Sequence, residues 1–186
     1  MKRAFILGLI VFNFGLPAVF ARKINEQCMI RGWVQDKDLR KDIMIYQVPS
    51  FIYAGTHDDP FVGYLDNSTE PGEEKTVEII GYKGTPRDGK WIKIRKATDS
   101  KGNTLFDGVG WLDAKRVTAG VWNPNGKSAV LYQLPRLSSK KMIMIPNKTL
   151  LEIVGFDCFG LKVKYQGKTG WLSRENICGN PAALCF

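Results

Sequence analysis

Residues 131–135 read LYQLP and residues 45–49 read IYQVP, so nearly the same five residues occur twice, 86 positions apart. Three further pairs follow in the same order: TVEIIGY with LLEIVGF from residues 76 and 150, IKI with LKV from 92 and 161, and GWL with GWL from 110 and 170. The offset falls steadily from 86 to 74, 69 and 60 residues. Ordered matches with a shrinking offset indicate an internal repeat whose first copy carries insertions.

The matched blocks have the pattern of short β-strands. Residues 162–165 read KVKY, which alternates polar and apolar side chains with the period of a half-buried strand. Turn-forming residues separate the blocks, as in GTPRDG at 84–89 and QGK at 166–168. About five short strands in each copy are typical of a small antiparallel barrel or sandwich. The sequence therefore predicts an all-β fold of two tandem small barrels.

The first 21 residues have the features of an export signal. Lys2 and Arg3 precede an apolar run from Ala4 to Phe14, and Ala21 ends a stretch that fits a cleavage site. The apolar run is too short to cross a bilayer. We therefore expect residues 1–21 to be removed and the product to lie in the periplasm or outside the cell, without a membrane span.

Export makes disulfides possible, because an oxidising compartment does not keep thiols reduced. The chain has four cysteines, Cys28, Cys158, Cys178 and Cys185, which allow three pairings. The two in CGNPAALC are close enough in sequence for a short ring worth about 2.5 kcal/mol, and the other two would close a long loop worth about 5 kcal/mol. A metal site is the alternative, but no CxxC is present and His57 is the single histidine. No metal and no cofactor are predicted.

Several blocks resemble bacterial SH3 (SH3b) domains. LYQLP resembles the first strand of that family, LLEIVG at 150–155 its central strand, and KVKYQGKTGWL at 162–172 its hairpin. CGNPAALC at 178–185 is similar to the tail of exported bacterial proteins with two such domains in tandem, and residues 28–38 resemble their lead-in strand. The resemblance implies two SH3-like barrels, at 28–120 with a long acidic insertion and at 121–186 with a Cys-bracketed tail.

The second copy departs from the family pattern in two places. The family commonly has a tryptophan before the core of the fourth block, which the first copy keeps as Trp91, whereas the aligned residue of the second copy is Gly160. The second copy also reads Leu-Tyr-Gln at 131–133 where the family often has Val-Arg-Ser. The two domains are therefore not expected to bind the same ligand.

Aromatic side chains are candidates for ligand contacts, although in a small barrel most of them belong to the core. The alternation within the GWL blocks leads us to expect Trp111 and Trp171 inside the fold. Tyr46 and Tyr132 lie near prolines in the paired motif, where a partly exposed ring would face a peptide or a sugar. Core packing is the alternative interpretation of both tyrosines.

The positive charge is concentrated in the second copy. Residues 22–120 have 16 Lys and Arg against 15 Asp and Glu, whereas residues 121–186 have 9 against 3. A basic surface steers anionic partners and raises their association rate. A solvated face without a ligand is the alternative. The candidate ligand-binding cations are Lys162, Lys164, Lys168 and Arg174.

Nucleic acid is not predicted as a partner, because export removes the protein from it and no stacking motif of a known nucleic-acid module is present. Peptidoglycan, another anionic envelope polymer or an envelope protein remains. The leading hypothesis is a non-catalytic module that binds the cell envelope, most plausibly peptidoglycan or its stem peptides. The alternative is a periplasmic or secreted adaptor that binds another protein through the acidic insertion at 56–74.

Catalysis is the poorest fit to the sequence. SH3b domains often accompany cell-wall hydrolases, but the two copies leave no residues for a catalytic domain. His57 stands beside Asp58 and Asp59, yet no nucleophile accompanies them. We therefore predict that the chain is not an enzyme.

Overall fold

The computed structural model describes most of the region after the predicted signal. The described residues are 28–34, 42–49, 61–66, 75–85, 89–126 and 128–179. The predicted signal peptide, most of the acidic insertion, and Cys185 lie outside them. In the described part of the chain, no helix is both long enough and apolar enough to cross a membrane.

The described residues form β-strands joined by turns, so the all-β prediction is confirmed. The first seven strands are β1 Ile30–Val34, β2 Ile43–Tyr46, β3 Phe61–Leu65, β4 Lys75–Thr85, β5 Gly89–Thr98, β6 Thr104–Asp113 and β7 Val117–Val121. Six more follow: β8 Ala129–Tyr132, β9 Lys141–Ile145, β10 Leu150–Asp157, β11 Gly160–Tyr165, β12 Lys168–Ser173 and β13 Ile177–Cys178. Single 3-10 turns, Ala114–Arg116 and Arg174–Asn176, precede β7 and β13.

The strand pairing repeats along the chain. β4, β5 and β6 form an antiparallel meander, and so do β10, β11 and β12. β2 pairs with β3 and β6, and its counterpart β8 pairs with β9 and β12. The two copies inferred from the sequence therefore have the same order of elements and the same neighbours within each copy.

β7 belongs to both copies. β1 pairs with β4 and with β7, and in the same way β7 pairs with β10 and with β13. Arg31 of β1 lies opposite Glu78, and Thr118 of β7 lies opposite Glu152, the glutamate that matches Glu78 in the repeat. β7 thus ends the first copy and serves as the lead-in strand of the second. The domain boundary predicted between residues 120 and 121 falls within this strand.

The described strands form one antiparallel sheet. Its hydrogen-bonded order is β3-β2-β6-β5-β4-β1-β7-β10-β11-β12-β8-β9, with β13 beside β7. This path does not return from β9 to β3, so the sheet is not closed over the described residues. The finer prediction of two separate tandem barrels is not established by this pairing.

Strand alternation builds the core. Ile92 and Ile94 on β5, and Leu161 and Val163 on β11, are fully buried, whereas the lysine between the members of each pair is not. Burial of such an aliphatic side chain contributes roughly 1.5–3 kcal/mol. The buried positions of both copies belong to one contiguous cluster. The core therefore spans both copies.

A disulfide joins Cys28 to Cys158, 130 residues apart in sequence. This is the long bridge considered from the sequence, and closure of such a loop in the unfolded chain is worth about 5 kcal/mol. It ties the residues before β1 to the turn between β10 and β11. Cys178 is also disulfide-bonded, and Cys185, its predicted partner, lies outside the described residues.

Because β10 and β13 both pair with β7, we expect a fragment of residues 122–186 to fail to fold. A fragment of residues 114–186 keeps β7 and is expected to recover more native structure, since it restores the partner of both strands. The dispersion of amide signals in NMR spectra of the two fragments checks this. A well-dispersed native spectrum from the shorter fragment would contradict the dependence on β7.

Candidate binding surface

Aromatic rings and a lysine form two equivalent groups on the sheet, one in each copy. The first aromatic row consists of Tyr46 on β2, Trp91 and Lys93 on β5, and Trp111 on β6. The second aromatic row consists of Tyr132 on β8, Phe159 before β11, Lys162 on β11, and Trp171 on β12. Sequence analysis selected Tyr46, Tyr132 and Lys162 as site residues.

Strand register places three members of each row side by side. Trp111 lies opposite Tyr46 on one neighbouring strand and opposite Lys93 on the other. Trp171 lies in the same way between Tyr132 and Lys162. Residues directly opposite one another in antiparallel strands point to the same face of the sheet. Each row therefore crosses three strands on one face.

Edge-to-face ring contacts hold the tyrosines. Tyr46 packs against Trp91 with ring centroids 5.3 Å apart, and Tyr132 packs against Phe159 at 6.0 Å. Such perpendicular contacts are favourable because the positive edge of one ring meets the negative face of the other. Phe159 thus fills in the second copy the role that Trp91 fills in the first.

The substitution of Phe159 for Trp91 has a steric cause. Gly160, the residue aligned with Trp91, lies so close to the carbonyl of Leu172 that a Cβ there would overlap it. The ring therefore comes from the preceding residue. The turn is fixed by two hydrogen bonds, from the Phe159 amide to the Asp157 carboxylate (2.9 Å) and from the Arg174 amide to the Phe159 carbonyl (2.9 Å). Position-by-position alignment of the copies does not reveal this equivalence.

Glycines on the neighbouring strand make room for the two lysine stems. A Cβ at Gly81 would lie 3.3 Å from the Cβ of Lys93, and one at Gly155 would lie 2.9 Å from the Cβ of Lys162. The Nζ of Lys93 lies 5.6 Å from the centre of the Trp111 ring, within the range of a cation–π interaction. The glycine repeated in EIIGY and EIVGF is the sequence signal for this feature.

The expectation that Trp111 and Trp171 lie inside the fold was wrong. Both are only half-buried, because each alternates with a fully buried leucine, Leu112 or Leu172, that takes the core face. Trp91 is instead the fully buried tryptophan, with 0% exposure. Tyr46 is half-buried and Tyr132 is 9% exposed. The partly exposed rings are therefore Tyr46 and Trp111 in the first row and Phe159 and Trp171 in the second.

The predicted cations do not all lie together. Lys162 and Lys164 alternate along β11 and share one face, so both lie at the second row. The backbone amide of Arg174 bonds to the Phe159 carbonyl, which fixes the main chain of Arg174 beside the row but not its guanidinium group. Lys168 lies opposite Tyr165, whose side chain is on the other face of the hairpin. Two of the four predicted cations, Lys162 and Lys164, thus lie on the face of the second row.

An ion pair links the two copies beside this surface. Lys90 donates to Glu152 over 2.8 Å, and this hydrogen bond raises the pKa of Lys90. Burial raises the pKa of Tyr82, which lies in the field of both groups. The pair is half-exposed, so its contribution to stability is small, about 0–1 kcal/mol. Glu152 also lies opposite Lys164, which places one acid at the edge of the basic group.

Comparison with known proteins identifies no family for the chain. The sequence matches no protein-family model, and no curated protein matches it. Among solved structures it is similar to NlpC2 and NlpC1 from Trichomonas vaginalis, with TM-scores of 0.32 and 0.31 and 14% identity to each. The alignments cover 81% and 82% of this chain but 48% and 46% of those chains, so it spans about half their length.

The different exposures of the tryptophans predict an order of chemical reactivity. Limited oxidation with N-bromosuccinimide is expected to modify Trp111 and Trp171 before Trp91, because the reagent reaches the indole ring from solvent. Peptide mapping by mass spectrometry measures the order, and protein unfolded in guanidinium is the control in which the difference disappears. Equal reaction of Trp91 in the folded protein would contradict the burial described here.

Proposed function

We propose that the chain is an exported protein of two SH3b-like units that binds the cell envelope without catalysis. Its ligand is peptidoglycan or the stem peptides of that polymer. The observation that carries the proposal is the repeated aromatic row, in which a partly exposed tryptophan lies beside a lysine in each copy. The SH3-like interpretation is supported by the five strands, 3-10 turn and final strand that recur in the two copies.

The chemistry of the rows matches such a ligand. A half-exposed indole offers a flat apolar surface on which a sugar ring or a peptide packs. The neighbouring ammonium group forms a charge-assisted hydrogen bond with a carboxylate. Peptidoglycan presents sugar rings and peptide carboxylates in close succession. One row is thus suited to hold both kinds of group.

The second row is the stronger of the two in this proposal. Lys162 and Lys164 lie on its face of β11, and residues 121–186 have 9 Lys and Arg against 3 Asp and Glu. The first row lies in a region of nearly balanced charge. Since a polymer presents its repeat many times, contacts at both rows of one sheet would act together and raise the overall affinity.

Binding supported by the second row is expected to depend on the face of the sheet and not on net charge alone. The charge-reversed variant Lys162→Glu with Lys164→Glu is compared with a matched variant, Lys148→Glu with Lys168→Glu. Both variants change the net charge equally, but Lys168 lies on the other face of its hairpin and Lys148 lies in the turn between β9 and β10. Co-sedimentation with purified peptidoglycan sacculi over a salt series measures the binding.

The first variant is expected to bind about tenfold or more weakly, since it removes two charge-assisted contacts. The matched variant is expected to retain most of the binding at moderate salt, where long-range attraction is screened. Equal losses of binding in both variants would show that the interaction is non-specific electrostatic attraction. An absence of binding by the unmodified protein at low salt would overturn the proposal and direct the search to a protein partner.

A further inference from the structure

A cavity of about 610 Å³ lies away from both aromatic rows. It is bounded by β3, the beginning of β4 and the hairpin of β5 and β6, and none of the eight residues of the rows lines it. Its volume falls within the range of about 300–1,000 Å³ that is usual for small-molecule sites. The lining residues that matter for its chemistry are Tyr64, Asp66, Lys75, Leu105, Phe106 and Asp107.

Lys75 is an unusual residue for the wall of this cavity. Its side chain is on the first residue of β4, with 8% exposure, and makes no hydrogen bond or ion pair with a residue that the structure describes. Burial of an ammonium group without a partner is unfavourable, since the lost hydration is not replaced. The fold therefore contains a largely buried lysine whose ammonium group has no direct hydrogen-bond or ion-pair partner among the described residues.

Two carboxylates complete the polar part of the wall. Asp66 and Asp107 line the cavity and are exposed, and their carboxylates make no hydrogen bond or ion pair within the described part of the chain. Asp99 also lines the cavity, but its carboxylate already accepts hydrogen bonds from neighbouring residues. It accepts hydrogen bonds from the amides of Lys101 (2.9 Å) and Asn103 (2.8 Å) and from the Asn103 side chain (2.8 Å), and the bond from that side chain lowers the pKa of Asp99.

Apolar side chains form the remainder of the wall. Tyr64 is 58% exposed and Leu105 is 41% exposed, an unusual degree of exposure for two large side chains that line one cavity. Phe106 is half-buried beneath them, and a Cβ at Gly63 would lie 3.1 Å from its ring. Glycine at that position therefore keeps the surface of the phenyl ring open. An aliphatic or aromatic group has a place to pack beside the charges.

We propose that this cavity binds the zwitterionic head group of a free amino acid. Lys75 pairs with the carboxylate of the ligand, Asp66 and Asp107 accept hydrogen bonds from its ammonium group, and Tyr64 and Leu105 contact an apolar side chain. The pairing gives the Lys75 ammonium group a direct ionic partner, which it does not have among the described residues. The inference does not depend on envelope binding, because the aromatic rows and this cavity share no residue.

The experiment titrates the full mature protein with L-leucine and with two blocked forms, N-acetyl-L-leucine and L-leucine methyl ester. NMR shifts of the amides of β3 and β6 report binding. L-leucine is expected to bind at millimolar concentrations, and either block is expected to weaken binding about tenfold or more, since each removes a charged hydrogen-bonding group. No binding of L-leucine, or equal binding of all three compounds, would overturn the proposal.

Single variants test which wall residue binds each charged group of the ligand. Asp107→Asn is expected to reduce the preference for L-leucine over N-acetyl-L-leucine. Lys75→Met is expected to reduce the preference for L-leucine over L-leucine methyl ester. Lys75→Met is also expected to raise the thermal midpoint, because it removes an unpaired buried charge. Lys115→Met, at an exposed lysine outside the cavity wall, is the control and is expected to change neither preference. Unchanged preferences in both wall variants would refute the assignment, and Asp107→Asn tests it even if Lys75→Met does not fold.

Discussion

The pairing of β7 is the constraint on which the rest of the sheet depends. A strand has two edges, and β7 shares its five residues among β1, β10 and β13. Its last residue continues these bonds, since the Val121 amide donates to the Thr149 carbonyl (2.9 Å) and its carbonyl accepts from the Lys148 amide (2.8 Å). Removal of β7 would leave backbone groups of both copies without partners, so a repeated sequence here produces one cooperative structure.

The disulfide between Cys28 and Cys158 lies beside the strands that flank β7. Cys28 precedes β1 and Cys158 follows β10, and these two strands flank β7 in the sheet. The disulfide therefore joins strands that are already neighbours through β7, and restricts the unfolded chain without requiring a new contact in the folded one. The continuous core also couples the two copies, because unfolding of either copy exposes apolar surface of the other.

The strands could be predicted from the sequence because polar and apolar residues alternate with a period of two. The repeat also shows the same blocks twice, so each strand prediction could be compared between the copies. The alternation within the GWL block was read with Trp111 on the core face, whereas the structure places Leu112 there and Trp111 on the other face. The role of Phe159 was missed because it depends on how closely Gly160 approaches the next strand. The sharing of β7 depends on pairing between distant segments, which local patterns do not contain.

The surroundings of a lysine in the fold determine whether its charge is favourable for stability. Lys93 and Lys162 rest their methylene groups on glycines, and Lys93 keeps its ammonium group near the Trp111 ring, so these lysines add positive charge to a surface at little cost in hydration. Lys75 has the same side chain in a largely buried position on the cavity wall, without a hydrogen bond or ion pair among the described residues. Folding alone would favour an apolar residue there, as at Val77 two positions later on the same face of β4. A ligand that brings a negative charge supplies the physical reason for a lysine at this position.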